Sequence, residues 1–240
     1  MTHTTDTAAA ASPIERDAFE TDGDRTRDVG VARVRFRFTK QGDLRLIGHH
    51  DLLRLVERLL RRAHVRVALS QGFNPRPKIT FAAALSLGIE GRREVVDIEL
   101  AESVDPEALR LVLQSCSPAG LNWTEAVSVQ LRGNARCVAS VFEIDVPDSA
   151  REGLAANIEV FLASKRVLRE RRREERVTVL DLRSLVETVH LDVDGRLRFR
   201  LIHDGGAAAR PEEILDALGM GELTASGVHL ARIDLELAQT

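Results

Sequence analysis

The 240-residue chain has a net charge of −3, with 44% hydrophobic and 30% charged residues, which is the composition of a globular protein. No apolar run is long enough to span a membrane, and the N-terminus lacks the basic start and apolar core of a secretory signal. Two isolated cysteines, Cys116 and Cys137, favour free thiols in a reducing compartment. We therefore expect a cytoplasmic protein with no membrane partner, no metal site and no cofactor.

The charges are unevenly distributed along the chain. Residues 1–30 carry three arginines against seven acids, a net charge of −4, whereas residues 31–78 carry twelve Lys or Arg against three acids, a net charge of +9. The basic region can therefore present a strong local potential to a polyanion even though the whole chain is nearly neutral.

The first predicted segment is a disordered leader, residues 1–29, which is polar and lacks hydrophobic periodicity. Residues 31–39 follow as a strand in which apolar and basic residues alternate, so that one face is apolar and the other cationic. The cationic face of this strand consists of Arg33, Arg35 and Arg37.

Residues 49–63 predict an amphipathic helix, because leucines and a valine recur at helical spacing. Its basic side consists of Arg54, Arg58, Arg61 and Arg62. Strands are then expected in VRVALS, KITFAAALSLG, EVVDIEL and LNWTEAVSVQL, and a helix in DPEALRLVLQSC, with an aspartate cap and a first-turn proline.

The second half repeats this order more loosely. We predict strands in CVASVFEIDV, KRVLRERR, ERVTVLDLRSLV and VHLARIDLEL. Helices are expected in SAREGLAANIEVFLAS and RPEEILDALGM, and a hairpin is expected to turn at Asp194-Gly195. The chain is therefore expected to be α+β, with two tandem ferredoxin-like (split β-α-β) sandwiches that have antiparallel sheets. The predicted domains are residues 30–132 and 133–240, divided near residues 131–136.

The segment SQGFNPRPK, residues 70–78, is the least generic part of the chain. Its two prolines limit the conformations of a loop that also carries Phe73, Asn74, Arg76 and Lys78. Single-stranded RNA sites combine aromatic rings that stack on bases with cations that contact phosphates. An exposed Phe73 would indicate a binding loop of this kind, whereas a buried ring would indicate a core plug.

Several enzyme classes lack their motifs here: the sequence contains no phosphate-binding P-loop, no dinucleotide-binding GxGxxG, no HExxH, no GxSxG and no CxxxCxxC. His49, at the predicted start of the basic helix, is the one candidate catalytic base, since cations nearby would lower its pKa. Local hydrogen bonding is the competing interpretation of this histidine, so no catalytic residue is assigned.

The segments FRFTKQGDLRLIGHHDLLRLVERLLRRA and LSQGFNPRPKITFAAALSLGIEG, followed by EVVDIEL, resemble the radical-SAM-linked protein family, a bacterial domain of unknown function. GFNPRPK is the family's most specific motif and is intact. Members stand alone or are fused to a radical S-adenosylmethionine protein, which implies a protein of that kind as the partner. GHHD departs from the family pattern, with His49 at the family's histidine position and His50 as an extra residue. The order of elements is also similar, more weakly, to tandem ferredoxin-like endoribonucleases that process CRISPR transcripts.

Three functions remain open at this point. The first is a non-catalytic accessory protein that presents RNA, such as tRNA or rRNA, to a radical S-adenosylmethionine enzyme. The second is a protein-docking adaptor that uses the GFNPRPK loop without RNA, and the third is a metal-independent endoribonuclease that uses His49. The residues expected to contact RNA or a partner protein are Arg33, Arg35, Arg37, Arg54, Arg58, Phe73, Asn74, Arg76 and Lys78.

Overall fold

A computed structural model describes residues 30–173, 176–203, 205 and 208–238, and the predicted leader lies outside this part of the chain. The described strands are β1 (Ala32–Lys40), β2 (Ile79–Phe81), β3 (Glu90–Leu100), β4 (Leu121–Val129), β5 (Cys137–Asp145), β6 (Leu168–Arg173), β7 (Arg176–Asp181), β8 (Val186–Leu191), β9 (Arg196–Ile202) and β10 (Leu230–Leu237). The helices are α1 (His49–Arg62), α2 (Pro106–Cys116), α3 (Asp148–Ala163), α4 (Leu182–Leu185), α5 (Pro211–Ala217) and α6 (Glu222–Ala225), and a 3-10 helix spans Gly42–Leu46.

The fold is mixed α+β with a mostly antiparallel sheet, as the sequence predicted at this level. In the first half the order is β4-β1-β3, with β2 beside β3, and in the second half it is β10-β5-β9-β8. Every neighbouring pair within a half is antiparallel.

The two halves share one eight-stranded sheet, which differs from the two separate sheets that the sequence predicted. β10 pairs in parallel with the start of β3, through Ala231 with Glu90 and Arg232 with Gly91. Nothing in the sequence predicts this junction, because the two paired segments lie about 140 residues apart and the pattern of a single strand does not specify its partner. The hairpin β6–β7 forms a separate two-stranded sheet.

Two large hydrophobic cores lie mainly in one half each, and Leu85 and Ile89 of the first half belong to the core of the second. In the first half, the apolar side of β1 packs under α1 and α2, with Phe36 and Phe38 against Trp123. In the second half, α3 and α5 cover β5 and β9, where Phe142 stacks on Phe199 with ring centroids 5.5 Å apart. Most of the leucines and the valine whose helical spacing predicted α1 are the residues that this helix buries.

The ends of several elements follow the predicted local chemistry. Asp105 caps α2 by accepting from the backbone N–H groups of Glu107 (3.3 Å) and Ala108 (3.2 Å), and Pro106 begins the helix. Residues 65–70, which were expected to be a strand, form only the isolated bridges of Val67 and Leu69. None of the helices in the described part of the chain is both long and apolar enough to cross a membrane.

Candidate nucleic-acid interface

The GFNPRPK segment is the tip of a narrow hairpin that projects from the edge of β3. Ser70 closes the tip from both sides, because its N–H donates to the Arg76 carbonyl (2.8 Å) and its Oγ accepts from the Arg76 N–H (3.0 Å). Leu69 and Pro77 form a bridge below this pair. The loop is therefore held by its own backbone, although it lies outside the hydrophobic cores.

Phe73 is fully exposed, with a relative accessibility of 106%. The neighbouring Asn74 and Arg76 are also exposed, and Gly72 has a φ of +132°, a conformation that a side chain would disfavour. A phenyl ring that stays in water adds no hydrophobic stabilisation to the fold, since that stabilisation comes from burial. The exposure of Phe73 favours the binding-loop interpretation and excludes the core plug.

Lys78 lies at the base of this hairpin and is engaged in the fold. Its Nζ donates to Glu99 (2.9 Å), and Arg33 binds the same carboxylate. Burial raises the pKa of Glu99, but the hydrogen bonds from Lys78 and Arg33 outweigh that effect and lower it. Lys78 therefore anchors the hairpin to β3, and only part of its side chain faces solvent.

The β1 arginines do not form the free cationic face that the sequence predicted. Acidic residues on β3 lie directly opposite two of them in the register, so Arg33 pairs with Glu99, and Arg35 binds Asp97 through Nε (2.7 Å) and Nη2 (2.9 Å). The hydrogen bond to Asp97 raises the pKa of Arg35 above its ordinary value. The charges on this face of the sheet are therefore paired, and its net charge is small.

Arg37 is paired in the same way, at the junction of the two halves. It donates to the Leu235 carbonyl (3.2 Å) and lies within salt-bridge distance of Asp234 (3.5 Å) and Glu125 (3.8 Å). Burial lowers its pKa. The pairing was invisible in the sequence of β1, because the partner carboxylates come from β4 and β10.

The segment that links β4 to β5 covers part of this face. The Ala135 N–H donates to Asp97 (3.3 Å), and the Arg33 guanidinium donates to the Gly133 carbonyl. Arg33 is only 5% exposed as a result. The segment expected to be a boundary between domains therefore also shields the arginines of β1.

The basic side of α1, in contrast, faces solvent. Arg54 makes an exposed ion pair with Asp51 (3.3 Å), which contributes little in water. Within the described residues, the other three arginines of this helix have neither an ion pair nor a side-chain hydrogen bond. We call these the α1 arginines: Arg58, Arg61 and Arg62.

His49 lies at the first residue of α1, half-buried, with its ring edge-on to Phe81 at a centroid separation of 5.1 Å. Burial lowers its pKa, and the nearby His50 and Lys40 lower it further. The lowered pKa favours the neutral imidazole, although burial, rather than the nearby cations that the sequence suggested, is its main cause. Its ring packs on an aromatic side chain, however, and none of the α1 arginines is among the groups that perturb it.

Lys40 was not identified as a candidate site residue from the sequence. Its side chain is buried and its Nζ donates to the carbonyls of Ile47 (2.8 Å) and Arg45 (3.4 Å), so it holds the chain just before α1. Burial lowers its pKa. A lysine at the end of an alternating strand gives no sequence signal of burial, since only the tertiary fold places the carbonyls around it.

Comparisons with solved structures give matches at low sequence identity and with TM-scores below 0.5. One solved structure, the Cbf5-Nop10-Gar1 complex, matches 90% of this chain and 55% of that chain at 12% identity, with a TM-score of 0.42. Another, named provisionally as a glycine cleavage system transcriptional repressor, matches 87% of this chain and 98% of that chain at 12% identity, with a TM-score of 0.23. The chain thus spans little more than half the length of the first of these. A search of curated proteins found no match.

A protein-family model matches residues 33–211, which include α1, the GFNPRPK hairpin and most of the second half. The model is described as an uncharacterized protein conserved in bacteria, DUF2344. Because the match covers well over half of the chain, the protein belongs to this DUF2344 family of bacterial proteins.

Proposed function

We propose that this protein is a non-catalytic RNA-binding accessory protein, and that RNA contacts the tip of the GFNPRPK hairpin and the α1 arginines. The observation that carries the proposal is the fully exposed Phe73, on a loop held in place by Ser70 and flanked by the exposed Arg76. A ring presented in this way can stack on a base, and the entropy cost of binding is small because the loop is already ordered.

The α1 arginines supply the complementary electrostatic part of the proposal. Unlike the arginines of β1, they are neither neutralised nor covered by other described residues. Guanidinium groups bind phosphate oxygens in a bidentate manner, and several along one helix would follow a nucleic-acid backbone. Five residues, 63–67, join the end of α1 to the start of the hairpin, so both features belong to one continuous stretch of chain.

The same proposal includes the finer points of fold and partnership. The four main strands are β1 to β4 in the first half, and β5, β8, β9 and β10 in the second. Numbered in chain order within each half, they lie in the sheet in the order fourth, first, third, second, which is the order of a split β-α-β unit. We therefore propose two ferredoxin-like domains, residues 30–132 and 133–240. The resemblance to radical-SAM-linked proteins supports a radical S-adenosylmethionine enzyme as the partner to which RNA is presented.

The test is binding of a fluorescent single-stranded RNA to the full-length chain, followed by anisotropy over a series of salt concentrations. Phe73→Ala should weaken binding about tenfold, the value of one lost stacking contact. Arg76→Ala should weaken it and reduce the slope of log Kd against log salt by about one. The matched control is Arg172→Ala, which removes an exposed arginine from the β6–β7 hairpin in the other half of the chain.

No affinity for RNA at low salt would overturn the proposal, and so would equal losses in the Phe73 and Arg172 variants. In either case an adaptor that docks a protein through the exposed Phe73 becomes the better explanation. That alternative is measured by co-purification with a radical S-adenosylmethionine protein, which should be lost in Phe73→Ala and resist ribonuclease treatment.

An endoribonuclease that uses His49 is the least supported alternative. The lowered pKa of His49 suits a base, but its ring packs on Phe81. Incubation of the labelled RNA with wild type and with His49→Ala distinguishes the two cases, since cleavage by wild type alone would establish an enzymatic role.

A further inference from the structure

Two of the α1 arginines, Arg58 and Arg62, border a groove that no side chain of the described residues fills. The groove lies between α1 and the end of α2 and has a volume of about 320 Å³. Arg58 and Arg62 lie one helical turn apart on its rim. Its apolar lining consists of Leu55, Leu59, Cys116 and Pro118.

An occupant of this groove needs both apolar and acidic side chains. Val112, which is partly exposed, lies one helical turn before Cys116 and extends the apolar lining along α2. The two arginines on the rim have no acidic partner among the described residues, so a purely apolar segment would leave their charges uncompensated. The groove therefore selects a segment in which carboxylates alternate with one or two large apolar residues.

The chain itself contains such a segment in front of β1. Residues 13–22, PIERDAFETD, carry four acids against one arginine, a net charge of −3. Ile14 and Phe19 are its only large apolar residues. No other part of residues 1–29 combines acidic charge with an aromatic ring.

The point at which this segment joins the fold lies close to the end of α1. The Val31 N–H donates to the Leu100 carbonyl (2.8 Å), and the adjacent Ala101 donates to Arg66, four residues after the last residue of α1 (2.9 Å). The eleven residue-to-residue steps from Phe19 to Gly30 can span about 37 Å when extended, whereas α1 is about 21 Å long. The segment can therefore reach any point along α1.

We propose that residues 13–22 bind in the groove between α1 and α2 of the same chain, with their carboxylates against Arg58 and Arg62 and with Phe19 on the apolar lining. Tethering raises the effective concentration of the segment to about the millimolar range, so that weak intrinsic affinity is sufficient. Where the proposed RNA function holds, the bound segment competes with RNA for the α1 arginines. The contact itself does not depend on that function.

The test uses Cys116, which lines the groove, as a reporter in the full-length chain with Cys137→Ser as background. Its rate of reaction with a maleimide should rise about fivefold or more when Ile14→Ser and Phe19→Ser are introduced together, because the bound segment no longer covers the thiol. Ala9→Ser with Ala10→Ser is the matched control and should leave the rate unchanged. Raising the salt concentration should also increase the rate in the parent chain, because the contact is partly ionic.

Arg58→Glu with Arg62→Glu should raise the rate to a similar extent, and combining these with the leader substitutions should add nothing, since both sets remove the same contact. Equal rates in the parent chain and in the Ile14/Phe19 variant would overturn the proposal. A rate in the parent chain that falls as protein concentration rises would instead place the segment in the groove of a second copy, and would overturn the contact within one chain.

The competition with RNA is measured separately with the fluorescent RNA described above. Tighter RNA binding by the Ile14/Phe19 variant supports competition, and unchanged binding contradicts it. If Cys116 is protected but no variant binds RNA, the contact stands and the proposed RNA function fails, so the two failures are distinguishable.

Discussion

At the scale of single residues, the structure separates arginines that look alike in the sequence. Arg35 and Arg58 both lie on the polar side of an amphipathic element, yet Arg35 is bound by Asp97 while Arg58 has no partner among the described residues. A guanidinium already held by a carboxylate would have to break that pair before it could bind a phosphate. Free charge, rather than the number of arginines, therefore defines the candidate interface.

His49 gives a prediction at this scale that concerns pH. Burial is the main cause that lowers its pKa below the ordinary histidine value near 6.5, so the folded chain binds fewer protons than the unfolded chain in acid. The stability that depends on neutral His49 is present at pH values above about 6.5, the ordinary histidine pKa, and is lost as the pH falls below it. The difference in unfolding free energy between wild type and His49→Gln should therefore shrink between about pH 7.5 and about pH 5.5.

Urea titrations at both pH values measure this difference, and His190→Gln, at an exposed position of β8, is the control. A difference that stays constant or grows in acid would show that the pKa of His49 is not lowered. A direct NMR titration of the imidazole gives the same information independently of unfolding.

At the scale of elements, the GFNPRPK hairpin shows how a loop outside the core can be ordered. Both hydrogen bonds between Ser70 and Arg76 cross the loop, and one of them uses the serine side chain. Ser70→Ala removes that acceptor, so the Arg76 amide should open more readily and exchange with solvent about fivefold faster, the effect of losing about 1 kcal/mol. Hydrogen exchange measured by NMR provides the test.

Ser70→Thr keeps a hydroxyl at the same position and should preserve the slow exchange. Ser103→Ala, on an exposed loop before α2, is the matched control and should leave the Arg76 amide unchanged. Equally slow exchange in wild type and Ser70→Ala would mean that the prolines alone order the loop.

At the scale of the whole molecule, Arg232 and Glu94 join the two halves. Arg232, on β10, binds Glu94, on β3, through Nε (2.8 Å) and Nη2, and donates to the carbonyl of Ala84 (3.0 Å). Both side chains are buried, so removal of either charge leaves the other uncompensated in the interior. Arg232→Ala should lower the free energy of unfolding by about 4 kcal/mol.

Trp123, the only tryptophan, is buried in the first half and reports its unfolding by fluorescence, while circular dichroism reports both halves. Because Glu94 belongs to one half and Arg232 to the other, both signals should shift together to lower denaturant in Arg232→Ala. A shift of the circular dichroism signal alone would mean that the halves unfold independently. Glu94→Gln with Arg232→Met removes both charges and should lose less stability than Arg232→Ala.

The sequence by itself determined the α+β class, the bounds of α1 and α2 to within a few residues, and the composition of the GFNPRPK tip. Periodicity and capping are local signals, so the sequence carries them directly. It also indicated the basic side of α1, since a helix that buries one side exposes the other.

Only the tertiary structure decided which cations remain available. Carboxylates that are distant in sequence neutralise the arginines of β1, and the parallel pairing of β3 with β10 turns two predicted sheets into one. Register between distant strands depends on packing and twist, which a single strand's pattern does not specify. The exposure of Phe73 was undecided for the same reason, because whether a ring finds a pocket depends on neighbours that the chain supplies only when it folds.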